Sequence, residues 1–132
     1  MKKITINPKN LYDCTSFGMS QVVVDPDTKF VFISGQVDWS LEFKVSSNTL
    51  LGQTISVLEK LKIALEEANS SIENILQLRI YIKGDVSTHM ESLIPVLTDF
   101  LGDSYPALTG IGVESLAAPD LLVEIETISK QK

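Results

Sequence analysis

Apolar residues recur along this chain at two spacings, and the switch from one to the other divides it into elements. Ile4 and Ile6 alternate with polar neighbours, which predicts a short strand over residues 3–7. Residues 19–25 and 29–36 are β-branched and aromatic runs joined by Asp25-Pro26-Asp27-Thr28. Proline is second among those four, where its fixed φ suits a type I turn, so the two runs read as an antiparallel hairpin. Residues 37–48 interleave Trp39, Leu41 and Phe43 with polar residues and read as a loop with room for one short strand. Over residues 51–68 the period changes: Leu51, Ile55, Leu58, Leu61 and Leu65 mark one face of a helix. Lys62 and Glu66 are spaced to pair on its other face, and Asn69 suits the left-handed stop.

Alternation returns over residues 75–82, with Leu76, Leu78, Ile80 and Ile82 on one face and Gln77, Arg79 and Tyr81 on the other. Thr88-His89-Met90-Glu91 fits a capping box, followed by the stripe Met90, Leu93, Ile94, Leu97 and Leu101. Pro95 lies within that stripe and removes a backbone donor, which predicts a kinked second helix. Residues 107–113 and 121–129 complete the pattern as two strands. The order βββ-α-β-α-ββ suggests two crossover units, both helices lying on one face of a mixed sheet within a single domain spanning 1–132. Val123 and Ile125 would then meet the helices, while Glu124 and Glu126 look away beside Gln77, Arg79 and Tyr81. That second face is too mixed for a core and too patterned for plain surface. A partner subunit is the expected cover.

Composition narrows the function. The 132 residues carry 11 basic and 17 acidic side chains, a net charge of −6, with a pI near 4.7. Nucleic-acid binders usually present a basic field, so no nucleic-acid partner is expected. A single cysteine, Cys14, excludes an internal disulfide, and with the single histidine, His89, it cannot assemble a usual zinc site. Neither a secretory h-region nor a membrane-spanning run is visible, which points to a cytoplasmic protein with no membrane partner.

Several strings, in this order, resemble the Rid family (also called YjgF). They are Met19-Ser20-Gln21, Phe32-Ile33-Ser34-Gly35-Gln36, Gln53-Thr54, residues 68–74, Phe100-Leu101-Gly102, Tyr105-Pro106-Ala107 and residues 122–126. The resemblance covers about Ser16 to Ile128. It implies an α+β, chorismate-mutase-like fold with a mixed six-stranded sheet and the last strand beside the middle one. It also implies a homotrimer whose helix-free faces line a central barrel, with small-molecule clefts at the subunit boundaries. The best-studied branch hydrolyses enamines and imines such as 2-aminoacrylate, without cofactor or metal. By the same resemblance Glu124 would orient the attacking water, and Met19 and Leu108 would line the cleft; Ser34, Gly35 and Gln36 either line it with backbone amides or form a strand end that needs a small residue for close packing.

Leu108 is the departure that matters most. The family keeps an arginine there to hold the substrate carboxylate, and a leucine offers neither charge nor donor. A hydrogen bond to a charged group contributes roughly 1.5–3 kcal/mol, so a carboxylate docked there would lose about that much. Met19 replaces the usual tyrosine, Gly110 a frequent thiol, and Ile94 and Leu97 a common Asn and Tyr. Arg79 is the sole arginine. It either supplies a relocated carboxylate clamp or pairs with Glu124 or Glu126; pairing is the favoured reading, because partly buried charges are normally paired. Cys14 has no basic neighbour in sequence to activate it and reads as inert. Trp39 and Phe43 read as a lid or rim. Three functions follow: a trimer binding a small uncharged or cationic molecule and hydrolysing an imine or enamine without a carboxylate; a catalytically silent metabolite-sensing or protein-interaction trimer; or the ordinary 2-imino acid deaminase, with Arg79 as clamp.

Overall fold

Strand alternation and two helical stripes meet in one apolar layer, and that layer sets the topology. The computed structural model describes residues 2–132. Its strands are β1 (Ile4–Ile6), β2 (Val22–Val24), β3 (Phe30–Gln36), β4 (Ile75–Lys83), β5 (Ala107–Val113) and β6 (Val123–Lys130). The helices are α1 (Leu50–Glu67) and α2 (Val86–Leu101). One six-stranded sheet runs β1-β2-β3-β6-β4-β5, with β4 and β5 parallel and every other pair antiparallel. The order βββ-α-β-α-ββ and the adjacency of the last strand to the middle one are as expected. No strand forms within residues 37–48.

Local chemistry accounts for the element ends. In the β2–β3 turn the Asp25 carboxylate accepts from the Asp27 N–H at 3.0 Å and the Thr28 hydroxyl at 2.8 Å. The chain then closes with Lys29 at φ 65°, its N–H donating to the Asp25 carbonyl, so the turn is one residue wider than a simple type I turn. Thr49 caps α1 by accepting from the Gly52 N–H at 3.0 Å. At the other end Asn69 is left-handed, and the Ser70 N–H reaches the Leu65 carbonyl at 2.8 Å, a Schellman stop.

Four details differ from the sequence reading. Leu51 and Ile55 are exposed, because the face of α1 that meets the sheet is rotated toward Gln53, Thr54, Val57, Leu58, Leu61, Ala64 and Leu65. Gln53 is held there by real partners: its amide donates to the Ser47 and Asp120 carbonyls and accepts from the Leu122 N–H. In β4 the register against β6 shifts between Ile75 and Gln77, so Ile75 is buried and Leu76 is exposed. The cap of α2 is Asp85, which accepts from the Ser87 N–H at 2.9 Å; Thr88 and Glu91 form no capping box. Lys62 and Glu66 form no ion pair; among the described residues Arg79–Glu126 is the sole one.

Both helices pack on one sheet face. Val22, Val24, Val31, Ile33, Ile75, Leu78, Ile80, Ile82, Val123 and Ile125 are buried there with the inner faces of α1 and α2. The opposite face has no helix over it and exposes Phe32, with Arg79 and Glu126 each about two-fifths open to solvent. A second, smaller cluster of Tyr12, Cys14, Val37 and Leu121 gathers at one end, with Trp39, Val45, Leu116 and Ala118 against it. Among the described residues no helix is long and apolar enough to cross a membrane.

The rotation of α1 is open to a direct check. Leu61→Ala, at a fully buried position, is expected to lower unfolding stability by about 2–5 kcal/mol, and Ile55→Ala by less than about 1 kcal/mol, both read by denaturant titration. Equal losses would contradict the observed face.

Candidate functional site

The two-residue period of β6 buries Val123, Ile125, Thr127 and Ser129 toward the helices, so Glu124 must emerge on the other side. It emerges into a cavity of about 370 Å³ lined by Tyr12, Cys14, Phe17, Met19, Gly35, Val37, Trp39, Ala117 and Glu124. Pairing between β3 and β6 is irregular between Ile33 and Gln36, and Gly35 sits in that irregularity beside Glu124. A β-carbon on Gly35 would stand only 2.5 Å from Glu124 Cδ and 2.8 Å from Oε1. Gly35 is glycine because the carboxylate lies across its α-carbon.

The walls are tied down by buried polar bonds. Gln36 Nε2 donates to Gln21 Oε1 at 2.7 Å, and Gln21 Nε2 donates to the Tyr12 carbonyl at 2.9 Å. This chain of amides fastens the residue 12 segment to β3. The Tyr12 hydroxyl faces the Gly35 carbonyl at 3.4 Å, and burial pushes its pKa up to about 12. Fully buried Asp38 accepts from the Ser46 N–H and hydroxyl, the Ser47 N–H and the Ser56 hydroxyl. It thereby closes the 38–47 loop, which carries Trp39 and Phe43. The aromatic rings pack on one another: Tyr12–Trp39 centroids are 5.4 Å apart, Trp39–Phe43 5.3 Å and Phe17–Phe43 5.9 Å, all near edge-to-face.

The charged groups divide unevenly. Arg79 Nη1 lies 3.3 Å from Glu126 Oε1, and the Tyr81 hydroxyl also donates to Glu126. Glu124, two residue pairs away in the β4–β6 ladder, faces Tyr81 in register and accepts no hydrogen bond among the described residues. Desolvation, and secondarily the nearby Glu126 charge, holds its pKa above the ordinary carboxylate value. The thiol of Cys14 is also raised, mainly by burial, in keeping with an inert cysteine.

Of the residues singled out from sequence, Met19, Gly35 and Glu124 come together in the cavity, with Trp39 beside them. Ser34 and Gln36 flank Gly35, but their side chains are committed elsewhere: the Ser34 hydroxyl to the Ser20 carbonyl, the Gln36 amide to Gln21. Neither lines the cavity. Arg79 lies on the open sheet face, paired with Glu126. Leu108 sits on β5, opposite Leu78, two strands from β6 and about two-fifths exposed. Tyr12 and Phe17 were not foreseen as lining residues. Their signal was two aromatics in a segment without periodicity, too weak to assign a partner. A larger groove, about 570 Å³, runs between α1 and α2 over Ile55, Leu58, Pro95 and Phe100, remote from all of these groups. No cluster of three or more His, Cys, Asp or Glu suited to a metal occurs among the described residues.

A family model described as Endoribonuclease L-PSP matches residues 15–131. The chain belongs to this family, the Rid (YjgF) family. A RutC family protein of Pyrococcus abyssi is 30% identical over 101 residues, 76% of this chain and 77% of that protein. Protein MMF1, mitochondrial, of Saccharomyces cerevisiae is 27% identical over 78% of this chain and 69% of its own. The Rid family protein YyfB of Yersinia pestis, a solved structure, superposes with a TM-score of 0.73 at 31% identity, covering 98% of this chain and 99% of its own. The crystal structure of yeast Mmf1 superposes at 0.88 over 99% and 100%, at 23% identity, a likeness of fold. The six-stranded mixed sheet with two helices on one face is thus the chorismate-mutase-like fold of the Rid family.

The raised pKa of Glu124 fixes the sign of a pH effect. Because the folded carboxyl holds its proton more tightly than the unfolded one, no penalty exists below the ordinary value of 4.5. The penalty grows as pH rises through the folded value. Glu124→Gln is therefore expected to be more stable than the parent chain at pH 7 and equal to it near pH 4, measured by thermal denaturation across pH. A variant less stable at pH 7 would mean that Glu124 is paired.

Proposed function

We propose that this Rid family chain binds a small organic molecule in the Tyr12–Glu124 cavity, completed by a second copy of the chain, and hydrolyses an imine or enamine that bears no carboxylate. The observation that carries this reading is an unpaired, partly desolvated carboxylate set across Gly35 in an otherwise apolar and aromatic cavity.

The chemistry needs a base, a dry pocket and nothing more. Glu124 takes a proton from a water, whose oxygen bonds to the imine carbon as the C=N π pair moves onto nitrogen. With the imine protonated, this addition gives a neutral carbinolamine; Glu124 returns its proton to the amine nitrogen, then takes the hydroxyl proton as the C=O bond forms and the C–N bond breaks, and the departing ammonia carries that proton away as ammonium, leaving a carbonyl. An enamine enters the same path after protonation on carbon. A carboxylate raised above its ordinary pKa is a stronger base than a solvated one. The apolar walls limit competing water.

The absence of an anion clamp argues for substrates without a carboxylate. Leu108 lies on the outer edge of the sheet, where β5 presents an unpaired strand edge and Tyr105 is 83% exposed beside it. That edge is available to a neighbouring copy, and a homotrimer of the family type would use it, bringing a leucine to the cavity mouth. Relocation of the clamp to Arg79 has no support, since its guanidinium is committed to Glu126 outside the cavity. The family description names an endoribonuclease, but a net charge of −6 and an acidic cavity argue against RNA as a ligand here.

Two measurements test the reading. Ammonia release should be accelerated when the protein is added to an imine generated by a flavin-dependent oxidase from a simple primary amine, and Glu124→Gln should return the rate to background. With 2-aminoacrylate the acceleration should be about ten- to a hundredfold smaller, the factor that a lost charge-assisted hydrogen bond represents. Faster turnover of 2-aminoacrylate would overturn the proposal. Separately, light scattering should give roughly three times the 14.5 kDa chain mass, and a monomer would remove the completed cleft.

A further inference from the structure

Every group that lines the cavity can be assigned a charge at neutral pH. Burial holds Tyr12 and Cys14 in their neutral forms, and Phe17, Met19, Gly35, Val37, Trp39 and Ala117 carry none. Glu124 is the single ionisable group that changes the sum, and an ionised Glu124 leaves the site with one negative charge. No lysine or arginine lines it. The arginine on the same sheet face is already neutralised by Glu126.

Such a site penalises anions twice. An anion entering would leave water for a region without a cationic partner, and would do so beside a carboxylate of the same sign. A cation meets the opposite conditions. Glu124 supplies the counter-ion, and Tyr12, Phe17 and Trp39 supply aromatic walls, whose faces attract organic cations electrostatically. The edge-to-face packing of Trp39 against Tyr12 and Phe43 and the Asp38 bonds across the loop hold these walls in place before any ligand arrives, which lowers the ordering cost of binding. At about 370 Å³ the cavity is near the lower end of small-molecule sites.

We infer that the cavity recognises an organic cation, a primary alkylammonium or protonated imine, with Glu124 as counter-ion against an aromatic wall of Tyr12, Phe17 and Trp39. This rests on the same reading of the cavity as the ligand site, and adds to it the charge of the ligand. The two are compatible in chemistry, because a protonated imine is the more electrophilic form toward water.

Trp39 is the only tryptophan, so its fluorescence reports occupancy without any turnover. Titration of the full chain with n-butylammonium chloride, sodium butyrate and n-butanol, at matched ionic strength, compares charge at constant size. The ammonium is expected to give a saturable change with a Kd at least about tenfold below those of butyrate and butanol. Glu124→Gln should raise the ammonium Kd about tenfold. Butyrate binding as tightly as the ammonium, saturation by none of the three up to about 50 mM, or an ammonium Kd unchanged in a folded Glu124→Gln variant would each overturn the inference. If the variant does not fold, the comparison of the three probes on the parent chain decides alone. Ammonium binding without imine hydrolysis would remove the proposed reaction and leave this inference standing; hydrolysis with a preference for butyrate would do the reverse.

Discussion

A half-buried carboxylate without a partner is the constraint around which the site is arranged. Its position is forced from the core outward. Val123, Ile125, Thr127 and Ser129 are buried against the helices, and a strand's period of two leaves Glu124 no face but the open one. There it crosses Gly35, where any β-carbon would collide with it. A side chain at that glycine would displace the carboxylate, and an odd-residue slip of β6 would bury it among hydrocarbon. The same register that closes the core therefore aims the acid.

Two glutamates on one strand, two positions apart, have been given different surroundings. Glu126 accepts hydrogen bonds from Arg79 and the Tyr81 hydroxyl. Glu124 is deprived of both and feels Glu126 as a like charge. By holding Arg79 on Glu126, the sheet face keeps the one arginine away from the one carboxylate that remains free. A guanidinium on Glu124 would lower its basicity and fill its acceptor positions. The ion pair is thus better understood as a way of segregating charge than as a source of stability, since a pair about two-fifths exposed contributes little.

Much of this was legible in the sequence, and the misses have physical causes. Period-two and period-3.6 patterns located all six strands and both helices, and the facing of Glu124 and Glu126 followed from alternation alone. Leu76 was misplaced because a β-bulge shifts register without leaving a compositional mark. The face of α1 was misjudged because Gln53 and Thr54 are buried; Gln53 bonds to Ser47, Asp120 and Leu122, partners that tertiary structure alone supplies. The α2 cap moved because Asp85 competes with Thr88 for the same role, and both fit the rule. Tyr12 and Phe17 were missed for a different reason. Their segment is irregular, and the amide chain from Gln36 through Gln21 that places Tyr12 has no local signature.

On the proposed reading, in which a neighbouring copy brings Leu108 to the cavity mouth, that leucine gains meaning from what lines the cavity. The lining is methionine, valine, alanine and aromatic carbon around a single acid. It offers an anion no cationic partner and keeps the acceptor that a cation would use. A site that had merely decayed would be expected to lose the costly feature first, the desolvated carboxylate and the glycine that makes room for it. Both are in place, as the proposed cation site requires.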